Sequence, residues 1–168
     1  MPKDLKIRNA VKEDATSVDL LIRQLAAFEG ATSQIGFSVD ALEHALEADP
    51  PKLHVLVAEG PSGLLGFVSY TVDFTIWTGS DTIRVDDLFV VSDARGLGIG
   101  RRLMAEVAKI AVGRGATARW EVEPDNIAAQ RFYEGLGVVL RKKVTARWSR
   151  QAMAEWLEFD TAARAGSE

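Results

Sequence analysis

Leu88 to Leu103 reads L-F-V-V-S-D-A-R-G-L-G-I-G-R-R-L, and its residue types suit the holding of phosphate. An apolar, β-prone run ends at Val91, Ser92 and Asp93 make a polar turn, and Arg95, Gly96, Leu97, Gly98, Ile99, Gly100 and Arg101 lead into a helical pattern. A glycine-rich bend from strand to helix aims backbone N–H groups at one point, and the helix dipole adds partial positive charge there. Two familiar phosphate loops fail on spacing. No Lys-Ser/Thr follows the glycines as a P-loop requires. Arg101 stands where a dinucleotide fingerprint would place its third glycine. Upstream, Arg84 and Asp86 are polar on the phase that continues as Leu88 and Val90, so the two-residue alternation breaks between Asp86 and Leu88. A bulge, or a strand buried on both faces, produces that break.

The elements that position these residues follow from pattern. Lys6 to Arg8 is a short strand. A helix opened by Asp14 and Thr16 carries Val18, Leu21, Ile22 and Leu25 at helical spacing and stops at Glu29-Gly30. Ser38 begins a second helix, ended by Asp49-Pro50-Pro51. Strands are expected over Leu53–Ala58, Leu64–Val72 and Thr82–Val91, the first two joined by a Gly60–Gly63 turn. Then come a helix over Gly100–Val112, a strand over Thr117–Val122, a helix over Asn126–Leu136, strands over Val138–Leu140 and Val144–Trp148, and a short helix over Gln151–Phe159. The order β-α-α-β-β-β-α-β-α-β-β makes an α/β fold, a mixed central sheet with flanking helices.

The chain has 168 residues, 47% hydrophobic, and no composition break, which points to a single domain over 1–168 with a frayed end at 160–168. No apolar run approaches a membrane helix and no secretory h-region opens the chain, so the expected location is cytoplasmic, with no membrane partner. The absence of cysteine excludes disulfides and thiolate metal sites, and His44 and His54 have no metal-like companions, so no metal is expected. A net charge of −4 argues against nucleic acid and suits a cationic small molecule. Arg95, Arg101, Arg102, Arg141, Lys142, Lys143 and Arg147 crowd the second half, where an anion could bind locally.

The pattern R-x-x-G-x-G at Arg95–Gly100, followed by N-I-A-A-Q-R-F-Y-E-G-L-G at Asn126–Gly137, resembles the two cofactor segments of the GNAT (GCN5-related) N-acetyltransferase superfamily, and the element order is similar throughout. The stretches L-A-A-F-E (Leu25–Glu29), W-T-G (Trp77–Gly79) and V-D-D-L-F-V (Val85–Val90) are similar to the diamine (spermidine/spermine) branch, whose pattern thialysine acetyltransferases share. Phe28 stands where a tyrosine is often found, Asp86 replaces the usual glutamate, and no acid precedes Trp77.

The resemblance implies acetyl-CoA as co-substrate, with no metal. Arg95 to Arg101 would wrap its pyrophosphate, and Leu88, Phe89 and Val90 would pair with the pantetheine arm through backbone groups. Asn126, a helix cap by type, would also touch the cofactor. Tyr133, by spacing alone a core or boundary residue, would protonate the departing thiolate. Asp86, otherwise a strand-end ion-pair residue, would help deprotonate the amine; Asp87 follows it, and on a regular strand the two face opposite ways. Phe28, Glu29 and Trp77 would line the amine pocket, although Trp77 equally suits hairpin packing.

The implied activity is acetyl transfer to a primary amine, a diamine, polyamine or lysine-like molecule, by direct attack in a ternary complex. The alternatives are an aminoglycoside, an amino acid or a protein N-terminus as acceptor, or an acyl-CoA-binding module without turnover. The branch implies a homodimer.

Overall fold

A computed structural model describes residues 4–165. The chain clusters into two compact units, Met1–Asn126 and Ile127–Glu168.

The first unit holds a sheet of five strands in sequential order: β1 (Lys6–Asn9), β2 (His54–Gly60), β3 (Gly63–Thr75), β4 (Ser80–Val90) and β5 (Thr117–Arg119). β1 to β4 are antiparallel, and β5 joins β4 in parallel, which makes the sheet mixed as expected. Its helices are α1 (Ala15–Phe28), α2 (Val39–Glu47) and α3 (Ile99–Gly113). Ser38 caps α2, its hydroxyl accepting from the Ala41 amide at 3.2 Å.

One face of the sheet packs on α1. Ala15, Val18, Leu21 and Leu25, spaced to share one helix face, close over Val55, Val57, Phe67 and Phe89. α3 contributes its own buried row, Ile99, Leu103, Met104, Val107 and Ala111. Truncating a fully buried member such as Leu103 to alanine costs about 2–5 kcal/mol. β4 is thus anchored by residues on both of its faces.

The second unit contains α4 (Ile127–Glu134) and α5 (Arg150–Ala165). Trp148 meets Trp156 edge-on at 5.5 Å. The strands expected at Val138–Leu140 and Val144–Trp148 are not formed. Their apolar, β-prone residues meet the pattern of a strand, but among the described residues neither segment pairs with another, and a ladder exists only with a partner. Val139 and Val144 are exposed instead. β5 also stops at Arg119 rather than Val122. The last helix is longer than expected and runs through Ala165, across most of the segment expected to fray; 166–168 lie outside the described residues.

Candidate active site

β4 carries the expected irregularity at Asp86. Ser69 of β3 pairs with Asp87 and the next residue, Tyr70, pairs with Val85, so Asp86 is an extra residue in the strand. The consequence follows from alternation. Phe67 and Phe89 point to the α1 face, and so do Ser69 and Asp87, one pair along. Beyond the bulge the paired residues Thr71 and Arg84 lie on that same face, and Asp86 follows two residues after Arg84. The consecutive carboxylates of Asp86 and Asp87 therefore share one face, which no regular strand allows.

Asp87 is held by Ser69. The buried Ser69 hydroxyl donates to Asp87 Oδ2 at 3.2 Å and accepts the Asp87 amide at 3.1 Å. Burial pushes the Asp87 carboxyl above its ordinary range, and the Ser69 bond partly offsets it. Asp86 is raised by burial and by Asp87 and Asp73, against the lowering charge of Arg84, whose Nη2 lies 3.7 Å from Asp86 Oδ1. Glu29, just past the end of α1, is raised by burial and then by the charges of Asp87 and Glu123. Carboxylates raised in this way are stronger bases than usual, and together they attract a cation. Ser69 and Arg84 were not singled out as site residues. A serine inside the apolar run F-V-S-Y was the available signal for the first.

The outer edge of β4 changes character at the same place. β5 pairs only with Thr82 to Arg84, and among the described residues no other strand joins that edge. The Val91 amide donates to Leu65 O at 3.0 Å, so alternation turns the backbone of Phe89 toward β3 and that of Leu88 and Val90 toward the open edge. Of the expected backbone contacts, Leu88 and the Val90 amide have groups to offer a ligand there, the Val90 carbonyl being engaged by Arg95, whereas Phe89 hydrogen-bonds within the sheet and buries its ring.

The glycine loop leaves β4 through a single 3₁₀ turn, Ser92–Ala94. Gly96 and Gly98 adopt φ of 78° and 79°, left-handed values that a side chain would strain. Gly98 directly precedes α3, whose first ladder bond runs from the Arg102 amide to Gly98 O at 3.1 Å. The amides of Ile99 and Gly100 lie ahead of that ladder, at the positive end of a 15-residue helix. A Cβ at Gly96 would meet nothing within 4 Å, so the loop borders open space. Leu97 is part-exposed while the Ile99 side chain is buried, leaving Ile99 only its amide to offer. Left-handed glycines, open amides and an unpaired strand edge fit a phosphate-bearing, amide-containing ligand such as acetyl-CoA.

The Arg95 guanidinium turns away from the glycines. It lies 4.5 Å from the centre of the Phe28 ring, 5.7 Å from that of Phe89, and its Nε donates to Val90 O at 3.0 Å. The first unit thus brings Phe28, Glu29, Asp86, Asp87 and Arg95 together. Trp77 is elsewhere: 92% exposed in the β3–β4 turn, with Ser80 to Asp86 of strand, roughly 20 Å, between that turn and the bulge. Asn126 closes the unit, its amide bonded to Glu123 O at 3.0 Å. In the second unit Tyr133 of α4 is buried, meets Phe132 edge-on at 5.1 Å, and has its phenol pushed up to about 12 by burial.

Comparison with known proteins agrees with this geometry. Residues 21–138 match the model of the Acetyltransferase (GNAT) family. The chain is 32% identical over 141 residues to thialysine N-ε-acetyltransferase of Mus musculus, covering 79% of this chain and 82% of that protein. It is 31% identical over 114 residues to spermidine/spermine N(1)-acetyltransferase-like protein 1 of Homo sapiens, 64% of this chain but 16% of that one. An integron cassette protein from the mobile metagenome of V. cholerae superposes with a TM-score of 0.73 at 27% identity, over 94% of this chain and 98% of the other. The chain belongs to the GNAT acetyltransferase family and is an acetyl-CoA-dependent N-acetyltransferase.

Proposed function

We propose that the chain acetylates the primary amine of a small diamine, polyamine or lysine-like molecule, by direct attack on the thioester in a ternary complex. The observation that carries this is the one-residue bulge setting Asp86 and Asp87 on one face beside Glu29. An alkylammonium titrates near ~10 and is inert as a nucleophile until it loses a proton. The raised carboxylates attract the cation, and Asp86 accepts the proton, through water where its short side chain falls short. Nitrogen then attacks the carbonyl carbon, the C–N bond forms and the C–S bond breaks.

Arg95 to Arg101 hold the pyrophosphate, chiefly through backbone N–H groups, and Leu88 and Val90 hold the pantetheine arm. A Leu88 or Val90 amide on the open edge also suits the thioester oxygen. Asn126 assists at the cofactor. Tyr133 serves the leaving sulfur. A phenol at about 12 keeps its proton at neutral pH, so it donates a hydrogen bond as the thiolate forms. The acidic ammonium of the adduct restores the proton balance. Phe28 and Glu29 line the amine side.

The reading includes a cytoplasmic homodimer. Val139, Val144, Trp148, Leu157 and Phe159, exposed apolar side chains of the second unit, support association. Among the described residues no helix is long and apolar enough to cross a membrane.

Thiol release from acetyl-CoA, measured across a panel of amines, tests the reading. Turnover with diamines, polyamines or lysine-like amines above other acceptors is expected. Tight cofactor binding with no amine accepted would overturn it.

A further inference from the structure

Arg84 stands where three strands meet, on the sheet face that carries the two aspartates of the bulge. Its partners in register are Thr71 on β3 and Arg119 on β5, and Asp86 lies two residues further along its own strand. The Arg84 Nε donates to Thr71 Oγ1 at 3.3 Å and lies 3.4 Å from Asp73 Oδ2, while Nη2 faces Asp86 Oδ1 at 3.7 Å. Arg119 Nη2 meets the same Asp73 oxygen at 3.5 Å. Cation and carboxylate therefore alternate in one row, Arg119, Asp73, Arg84 and Asp86, which ends at the bulge.

The two aspartates are held by different partners. Ser69 bears on Asp87, and Arg84 bears on Asp86. Asp86 must be ionised before it can take a proton, yet burial, Asp87 and Asp73 all favour its neutral form. Arg84 is the cation that opposes them. Of the other charged groups nearby, Glu29 faces Asp87 and Glu123, and Arg119 engages Asp73. Asp73 competes with Asp86 for the Arg84 guanidinium, and Arg119 relieves that competition by giving Asp73 a second cation. Asp86 Oδ2 has no hydrogen-bond partner among the described residues, so one carboxylate oxygen is steadied by Arg84 and the other is open to an amine or a water.

We propose that Arg84 is a positioning residue for Asp86. Pinned by Thr71 and Asp73, it holds the Asp86 carboxylate ionised and in place where the amine gives up its proton, and Asp73 and Arg119 set how much of its charge Asp86 receives. This rests on the acetyl-transfer reading above and adds to it the groups that adjust the base.

The pH profile of kcat/KM for a diamine tests this, since it reports the free enzyme's base. Arg84→Gln is expected to move the acid limb to higher pH, with kcat/KM at the acid end lowered about threefold more than on the plateau. Arg119→Gln moves the limb the same way by less. Asp73→Asn moves it to lower pH, because a carboxylate that raises Asp86 is gone and Arg84 is left to Asp86. Arg84→Lys restores most of the limb position, and added salt shrinks each shift. Thermal melts confirm that each variant is folded; a merely structural row would change melting without this order of signs. An unmoved limb in Arg84→Gln, where Asp86→Asn destroys turnover, would overturn the proposal and leave Asp86 as the base. Full turnover in Asp86→Asn overturns the base reading instead. NMR titration of carboxyl-labelled aspartate, with the Asp86 signal assigned from Asp86→Asn, then decides the pairing by itself. An Asp86 midpoint raised in Arg84→Gln upholds it, and an unmoved midpoint overturns it.

Discussion

The Arg95 guanidinium stacks on the Phe28 ring at 4.5 Å, tying the loop that follows β4 to the last residue of α1. The same side chain donates to Val90 O at 3.0 Å. A residue expected beside phosphate by the sequence therefore spends its side chain on bracing the loop.

Arg95→Ala removes a cation–π contact and a charged hydrogen bond, together about 1–2 kcal/mol of loop order. The expected outcome is acetyl-CoA binding weakened by roughly tenfold, with kcat changed far less. Phe28→Leu reproduces part of the loss. In calorimetry the double variant binds better than the two single losses would sum to, because they remove one shared contact.

Ser69→Ala leaves the Asp87 amide without its hydroxyl acceptor, at a cost of about 1–3 kcal/mol in stability. It also removes the bond that lowers the Asp87 carboxyl, so that group rises further. A base works only when deprotonated. The acid limb of the kcat/KM profile therefore moves to higher pH in this variant, and an unmoved limb would remove Asp87 from the titrating site.

Glu29→Gln is expected to stabilise the protein at neutral pH. The Glu29 carboxyl is raised in the fold by burial, Asp87 and Glu123, so folding favours its protonated form. For a raised group the stability is full below the unfolded value, ~4.3, and is lost as pH rises through the folded value. The variant should melt above the wild type at pH 7, the gap closing toward acid. Amine KM rises at the same time as one attractive charge is lost.

Tyr133→Phe keeps the ring and removes the proton. Turnover is expected to fall by about 10²-fold while calorimetric binding of acetyl-CoA stays within a few-fold. An unchanged rate would remove the phenol from the reaction.

Much of this was legible in the sequence because local chemistry dictates it. Gly96 and Gly98 announce left-handed backbone, Ser38 announces a cap, and the broken alternation after Asp86 announces a bulge. Two things were not legible. The strands read at Val138–Leu140 and Val144–Trp148 have the right side chains, but alternation cannot say whether a partner strand is present. The bulge was read between Asp86 and Leu88, yet only the pairing of Ser69 with Asp87 and of Tyr70 with Val85 shows which residue is extra, and hence that both aspartates turn the same way. The directions of long side chains were equally hidden. Arg95 reaches back to Phe28 and Arg84 reaches between the carboxylates of Asp73 and Asp86, choices set by neighbours far apart in the chain.

The departure of β5 after Arg84 has a cost in the cell as well as a use. Beyond Arg84 no strand among the described residues pairs with this edge, and Leu88 and the Val90 amide face outward beside buried, β-prone neighbours, the kind of surface on which chains aggregate. A ligand that lies along it acts as a removable edge guard, stabilising the native chain by mass action. The supply of acyl-CoA would then set how much of the enzyme survives as well as how fast it works: cells depleted of the thioester should accumulate it in inclusion bodies.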